Sequence, residues 1–288
     1  MVRNKIKHFG LLCYRAGDNL VHNYGLEVAG YLTFLELLAL FPYLLLMVST
    51  LGIFGQGETG REVIGWLIAH VPSDAVATLR PRIEEIVSGP PQGLLTFAIL
   101  GAIWTSSSAV EAVRGVLNRA YHVHKPPAYL ARRLTSMAQV LMLTLLLLVV
   151  TLLVVLLPAV WAAITHFTGL ALPTAVSHGL AVFYKPLAAL GLFTVVAAFY
   201  YVLPNIRQEF MAVAPGALLV VVLWVGGASL VGVYLHHVSN VTLIYGSLSG
   251  FIATLMSFYV LNLIFIYGAE FNHERLVMLG KRIVERVR

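Results

Sequence analysis

Charge is scarce in this chain. Asp, Glu, Lys and Arg make up 11% of its 288 residues, against about 25% in soluble domains, which excludes an ordinary water-soluble globule. Cysteine is scarcer still. Cys13 stands alone, so neither an intrachain disulfide nor a cysteine-built metal centre can form, and its thiol is expected to be free near a membrane surface. No Walker phosphate loop, G-x-S-x-G elbow, H-E-x-x-H pair or dinucleotide fingerprint occurs, so an ATP-driven pump or a standard hydrolase has no recognisable seat here. Strict alternation of apolar and polar residues is missing too, which excludes a transmembrane β-barrel. No small-residue cleavage site follows a short apolar core near the start. The first hydrophobic run, from near Val28, therefore reads as a retained span.

What is present is apolar length. Hydrophobic residues reach 59%, and several runs attain the roughly 20 residues that cross a bilayer. Six spanning segments are predicted, at 29–54, 94–117, 136–163, 181–203, 213–236 and 246–271. Within hydrocarbon each must satisfy its own backbone hydrogen bonds, so each should be a helix. The predicted class is all-α: a polytopic membrane protein whose membrane domain covers 29–271.

The basic residues orient it. Fifteen of the 19 Lys and Arg fall on the side that carries both termini, including Arg3, Lys5, Lys7 and Arg15 in the first arm and Arg275, Lys281, Arg282, Arg286 and Arg288 in the tail. By the positive-inside rule both termini are cytoplasmic, as an even number of spans requires. The net charge of +6 is thereby read as orientation and contact with anionic lipid headgroups, not as a nucleic-acid surface. Residues 1–28 place Ile6, Phe9, Leu12 and Leu20 at roughly helical spacing among cations, as a helix in the headgroup region would. Residues 272–288 form a basic cytoplasmic tail. Between Gly55 and Gly93, two apolar stripes at helical period flank the Pro72-Ser73-Asp74 turn, which predicts an extracytoplasmic helical hairpin.

Ionisable and polar groups inside the spans are the candidates for function. Glu36, Glu111, Arg114 and Glu270 fall in the inner-leaflet half. They either line a polar cavity or are structural, Glu111 pairing with Arg114 at i+3 and Glu270 snorkelling to the headgroups. Ser106, Ser107 and Ser108 form a hydroxyl cluster near mid-membrane, and Asn262 lies at a similar depth. These are either interhelical hydrogen-bonding groups or part of a substrate path. Ala228 with Gly232, and Gly246 with Gly250, have the spacing of close helix packing. Pro158 should kink its span, and Pro215 is expected in the tolerant first turn of the fifth. His122 with His124, and His236 with His237, lack the surroundings of a metal site. No catalytic residue, metal or cofactor is assigned.

Several short motifs in a fixed order carry a resemblance. They are Leu40-Phe41-Pro42, Trp104-Thr-Ser-Ser-Ser108, Leu117-Asn-Arg-Ala-Tyr121, Tyr201-Val-Leu-Pro-Asn205, Pro215-Gly-Ala217, Tyr245-Gly-Ser247 and Gly268-Ala-Glu-Phe-Asn272. Together they resemble the YihY/virulence factor BrkB family of bacterial inner-membrane proteins, some of which are labelled ribonuclease BN. Lys125-Pro126-Pro127 departs from that pattern, where a more charged stretch is expected. The resemblance implies six helices, cytoplasmic termini and a role in envelope lipid handling. The expected function is transport or lipid translocation. The alternative is a non-conducting scaffold or partner subunit, as a homo-oligomer or with an envelope protein. The ribonuclease label finds no clustered Asp, Glu or His to support it.

Overall fold

The computed structural model describes residues 2–54, 92–123, 129–168, 174–237, 248–281 and 284–285. Seven helices and two short strands follow in order: α1 Val2–His22, α2 Gly25–Phe54, α3 Gln92–Ala120, α4 Tyr129–Thr168, α5 Thr174–Val202, β1 Ile206–Arg207, α6 Phe210–His237, α7 Leu248–Met278 and β2 Val284–Glu285. The hairpin expected at 55–93 lies outside the described residues, apart from Gln92 and Gly93, which open α3.

The six long helices form a closed ring. Each packs on the next in sequence, from α2 to α7, and α7 returns to α2. Helix α1 lies outside the ring against α7 and α2. The ring helices have 28 to 40 residues, which is about 42–60 Å of helix at 1.5 Å per residue. Large apolar side chains point outward along them, Phe34, Leu134, Leu141, Val222 and Phe251 among them. An apolar exterior of this kind faces lipid rather than water. Among the described residues, Leu130–Val150, Phe210–Gly227 and Gly250–Met278 are long and apolar enough to cross a membrane, and Pro186–Val202 is a shorter apolar stretch.

Among the described residues, the connections between elements gather at one end, here called the polar end. Helix α3 stops there in a Schellman motif: Val123 N–H returns to Asn118 C=O and His122 N–H to Arg119 C=O, with His122 at φ 52°. Helix α7 stops the same way at Gly280, φ 65°, the left-handed position at which glycine carries no Cβ penalty. Asn118 Oδ1 accepts from Asn205 N–H at 2.8 Å, tying the α5–α6 connection to α3. Strand β2 pairs antiparallel with β1, Ile206 opposite Glu285, so the tail is anchored rather than loose. Helix α7 also runs to Met278, seven residues past the expected end of the last span.

Proline placement differs from expectation at α6. That helix begins at Phe210, so Pro215 is inside it and not in its first turn. A proline there removes the N–H that would bind the carbonyl of residue i−4, here Met211. Helix α7 repairs the gap. Arg275 donates to Met211 C=O at 3.3 Å, and Asn272 accepts from Gly216 N–H at 2.8 Å and donates to Val213 C=O at 3.0 Å. Asn272 is completely buried, so its amide acts as a splint across the break. Asn272→Leu should leave both backbone groups unsatisfied and cost about 1–3 kcal/mol, read as a lower thermal midpoint of the purified protein in detergent.

Candidate functional site

The candidate residues separate into three places. The first is a network between α3 and α4. Glu111 accepts from Arg114 at 3.0 Å and from Ser136 at 2.6 Å, and also pairs with Arg132. Arg114 is 2% exposed. It donates further to Arg132 C=O at 3.1 Å and to Gln139, whose own amide reaches Val202 C=O at 3.1 Å on α5. One turn deeper, Arg133 donates to Trp104 C=O at 2.8 Å and to Ser108 Oγ at 3.1 Å, and its guanidinium stacks over the Trp104 ring at 4.4 Å. Arg132 and Arg133 precede the span predicted at 136–163. Helix α4 instead starts at Tyr129 and carries both into the bundle. The signal available was the i, i+4, i+7 set of Arg132, Ser136 and Gln139 on one helix face. Here, the expected Glu111–Arg114 ion pair is present, and these groups hold helices together.

The second place is the seam between α1 and α7. Asn19 donates to Glu274 and Asn23 to Glu270, each at 2.8 Å. The two asparagines are four residues apart, Asn23 just beyond the end of α1, and the two glutamates are four apart on α7, so they form two rungs of one ladder. Leu12 and Ala16 pack beside it on Phe271, and the Phe9 and Phe271 rings meet edge to face at 5.9 Å. Glu270 is 1% exposed and its second oxygen has no hydrogen-bond partner. The snorkelling geometry considered for it does not occur, because α1 covers the side chain before it could reach headgroups.

The third place is a cavity of about 320 Å³ in the middle of the ring. All six ring helices line it, from Glu36 and Tyr43 on α2 and Ser106 on α3 to Phe199 on α5, Trp224 on α6 and Asn262 on α7. Its wall is almost wholly apolar, and its polar groups are few. Asn262 donates to Glu36 Oε2 at 2.7 Å and lies 3.2 Å from the Thr33 hydroxyl, which itself donates to Ala29 C=O at 2.8 Å. Ser106 is 3% exposed and its hydroxyl has no partner. Glu36 stands eleven residues into α2, roughly 16 Å from the polar end. Tyr43 is about 10 Å further, so the cavity extends from the Glu36 level away from that end.

Of the sequence candidates, the structure brings Glu36, Ser106 and Asn262 together. Glu111, Arg114 and Ser108 belong to the α3–α4 network, Ser107 donates back to Trp104 C=O at 2.7 Å, and Glu270 belongs to the α1–α7 seam. The small-residue pairs are placed less tellingly. Gly246 lies outside the described residues, as do the side-chain surroundings of Ala228 and Gly232. A Cβ on Gly250 would meet no described atom within 4 Å. The close helix approach falls instead at Gly216 and Gly268, one on each of α6 and α7.

A ring of long helices with apolar exteriors around a sparsely polar cavity marks a helical membrane protein. Residues 17–282 match the family model described as Virulence factor BrkB, and the chain belongs to that family. It is 28% identical over 250 residues to the ribonuclease-like protein YfkH of Bacillus subtilis (strain 168), covering 84% of this chain and 86% of that one. No solved structure matches.

Proposed function

We propose that this protein is a six-span transporter of the inner (cytoplasmic) membrane that moves an amphipathic solute or lipid, with both termini in the cytoplasm. The observation that carries the reading is the central cavity. A protein built only as a scaffold has no use for an unpartnered serine hydroxyl and a carboxylate facing an internal space, since each is costly in hydrocarbon. Ligand sites are typically apolar hollows with a few fixed polar groups, and this one is contributed by every helix of the ring. The topology reading rests on the lengths of all six helices, the concentration of Lys and Arg on one side, and the clustering of α1, the α3–α4 turn, β1 and β2 at one end. At that end the basic tail and the exposed aromatic side chains Phe9 and Tyr14 of α1 and Tyr24 just beyond it suit contact with anionic headgroups.

Reconstitution tests it. Full-length protein in liposomes should move a fluorescent amphiphile between leaflets or across the bilayer, and Glu36→Gln should reduce the rate at least tenfold while leaving the protein folded. Vesicles that transport nothing from a broad amphiphile panel would favour the scaffold reading. RNA cleavage by highly purified protein, abolished by a point substitution, would favour the activity that the name of the Bacillus relative suggests.

A further inference from the structure

The chemistry of the cavity selects among amphiphiles, an inference that rests on the transport reading above. The geometry points to a ligand with an apolar body and a protonated amine head, seated with the amine against Glu36. Among the described residues, the wall of the cavity contains one formal charge, the Glu36 carboxylate, and no Lys, Arg or His. The cations nearest in sequence to its wall are engaged elsewhere: Arg114 by Glu111 and Gln139, Arg133 by Ser108 and Trp104. An anionic head would therefore face a carboxylate in hydrocarbon with no counter-charge.

The hydrogen-bonding capacity points the same way. Asn262 directs its amide N–H groups at Glu36 Oε2 and the Thr33 hydroxyl, so its carbonyl and the second oxygen of Glu36 are the groups left for a ligand. Both only accept. The indole N–H of Trp224, a cavity residue, is spent on Leu261 C=O at 3.0 Å. Ser106 and, about 10 Å beyond Glu36 along α2, Tyr43 carry buried, unpartnered hydroxyls that can accept or donate. The polar corner thus presents acceptors and wants a donor-rich head, and an ammonium supplies three donors and a charge opposite to that of Glu36. The rest of the wall, including Leu143, Phe199 and Trp224, accommodates an alkyl or aryl body. The amine could belong to a free amphiphile or to an aminolipid headgroup, and both share this chemistry.

The test uses full-length protein in phosphatidylcholine nanodiscs, with empty nanodiscs subtracted. Binding of radiolabelled decylamine is measured beside decanol and decanoate. The expected result is saturable decylamine binding at least tenfold tighter than either comparator. Glu36→Gln should weaken it tenfold or more. Ala109→Phe, which fills the cavity without touching its charge, should abolish it. Competition by phosphatidylethanolamine would assign the amine to a lipid head, and its absence to a free amphiphile. Equal binding of all three probes, lost in Ala109→Phe but unchanged in Glu36→Gln, would overturn the amine assignment and leave the cavity as a binding site. No saturable binding of any probe to folded protein would overturn the cavity reading itself.

Discussion

Arg114→Met is expected to destabilise the protein by about 3–5 kcal/mol, the range for removing one partner of a buried ionic network. The side chain is 2% exposed and joins Glu111, Arg132 C=O and Gln139. Methionine fills much of the same volume, so the loss reports polar partners left unsatisfied and not a cavity. Gln139 would lose its donor in a buried setting, and through its bond to Val202 C=O the disturbance reaches α5. Glu111 keeps Arg132 and Ser136, so the network should fail in part. Arg114→Lys should recover only a fraction, since one ammonium cannot reproduce the guanidinium fork that reaches three groups on two helices. The measurement is the thermal midpoint in detergent, with a double-mutant cycle. Arg114→Met combined with Glu111→Gln should be clearly less damaging than the sum of the two, because the residues act in one network. Strict additivity would refute the network.

Helix existence was legible in the sequence because long apolar runs in hydrocarbon have no other way to satisfy their backbone. Family membership was legible from motif order. The common depth of Ser106 and Asn262 followed from counting residues along helices, whereas Glu36, counted into the inner-leaflet half, is brought to them by the fold. Which helix touches which did not follow. In α2, α6 and α7 apolar residues occupy every face, so periodicity carries no information about the inward side. Glu111 looked equivalent to Glu36 in depth, and Arg114 and Glu270 shared its half of the membrane, yet all three sit in helix seams. The partners that decide this, Gln139, Arg132 and Asn23, are distant in sequence and unremarkable in type. Pro215 misled for a related reason. Its tolerance is arranged by Asn272 and Arg275 on another helix, and no local rule can anticipate a remote splint.

Replacing Gly268 with valine should be more damaging still, and substitution there separates real from apparent packing glycines. A Cβ at Gly268 would overlap a Val220 methyl and the Tyr200 hydroxyl and press on Gly216 C=O. None of these can give way cheaply. Tyr200 is fully buried and its hydroxyl donates to Phe265 C=O, Val220 is fully buried in the core, and Gly216 is backbone at the splinted break in α6. Alanine gains about 1 kcal/mol in helix propensity over glycine, but overpacking costs about 1–3 kcal/mol or more, so Gly268→Ala should be net destabilising. Gly268→Val should prevent the α6–α7 contact from forming and leave little folded protein after extraction. Gly250→Ala, where the added atom meets nothing described within 4 Å, should be neutral or mildly stabilising. Thermal midpoints and monodisperse yield of the three variants decide the matter. If Gly268→Val retained wild-type yield while Gly250→Ala lost it, the small-residue spacing read along one helix would be the correct guide to packing. The expected reverse identifies the α6–α7 crossing as the tightest joint among the described residues of the ring, between one and two turns toward the polar end from the Asn262 that faces the cavity.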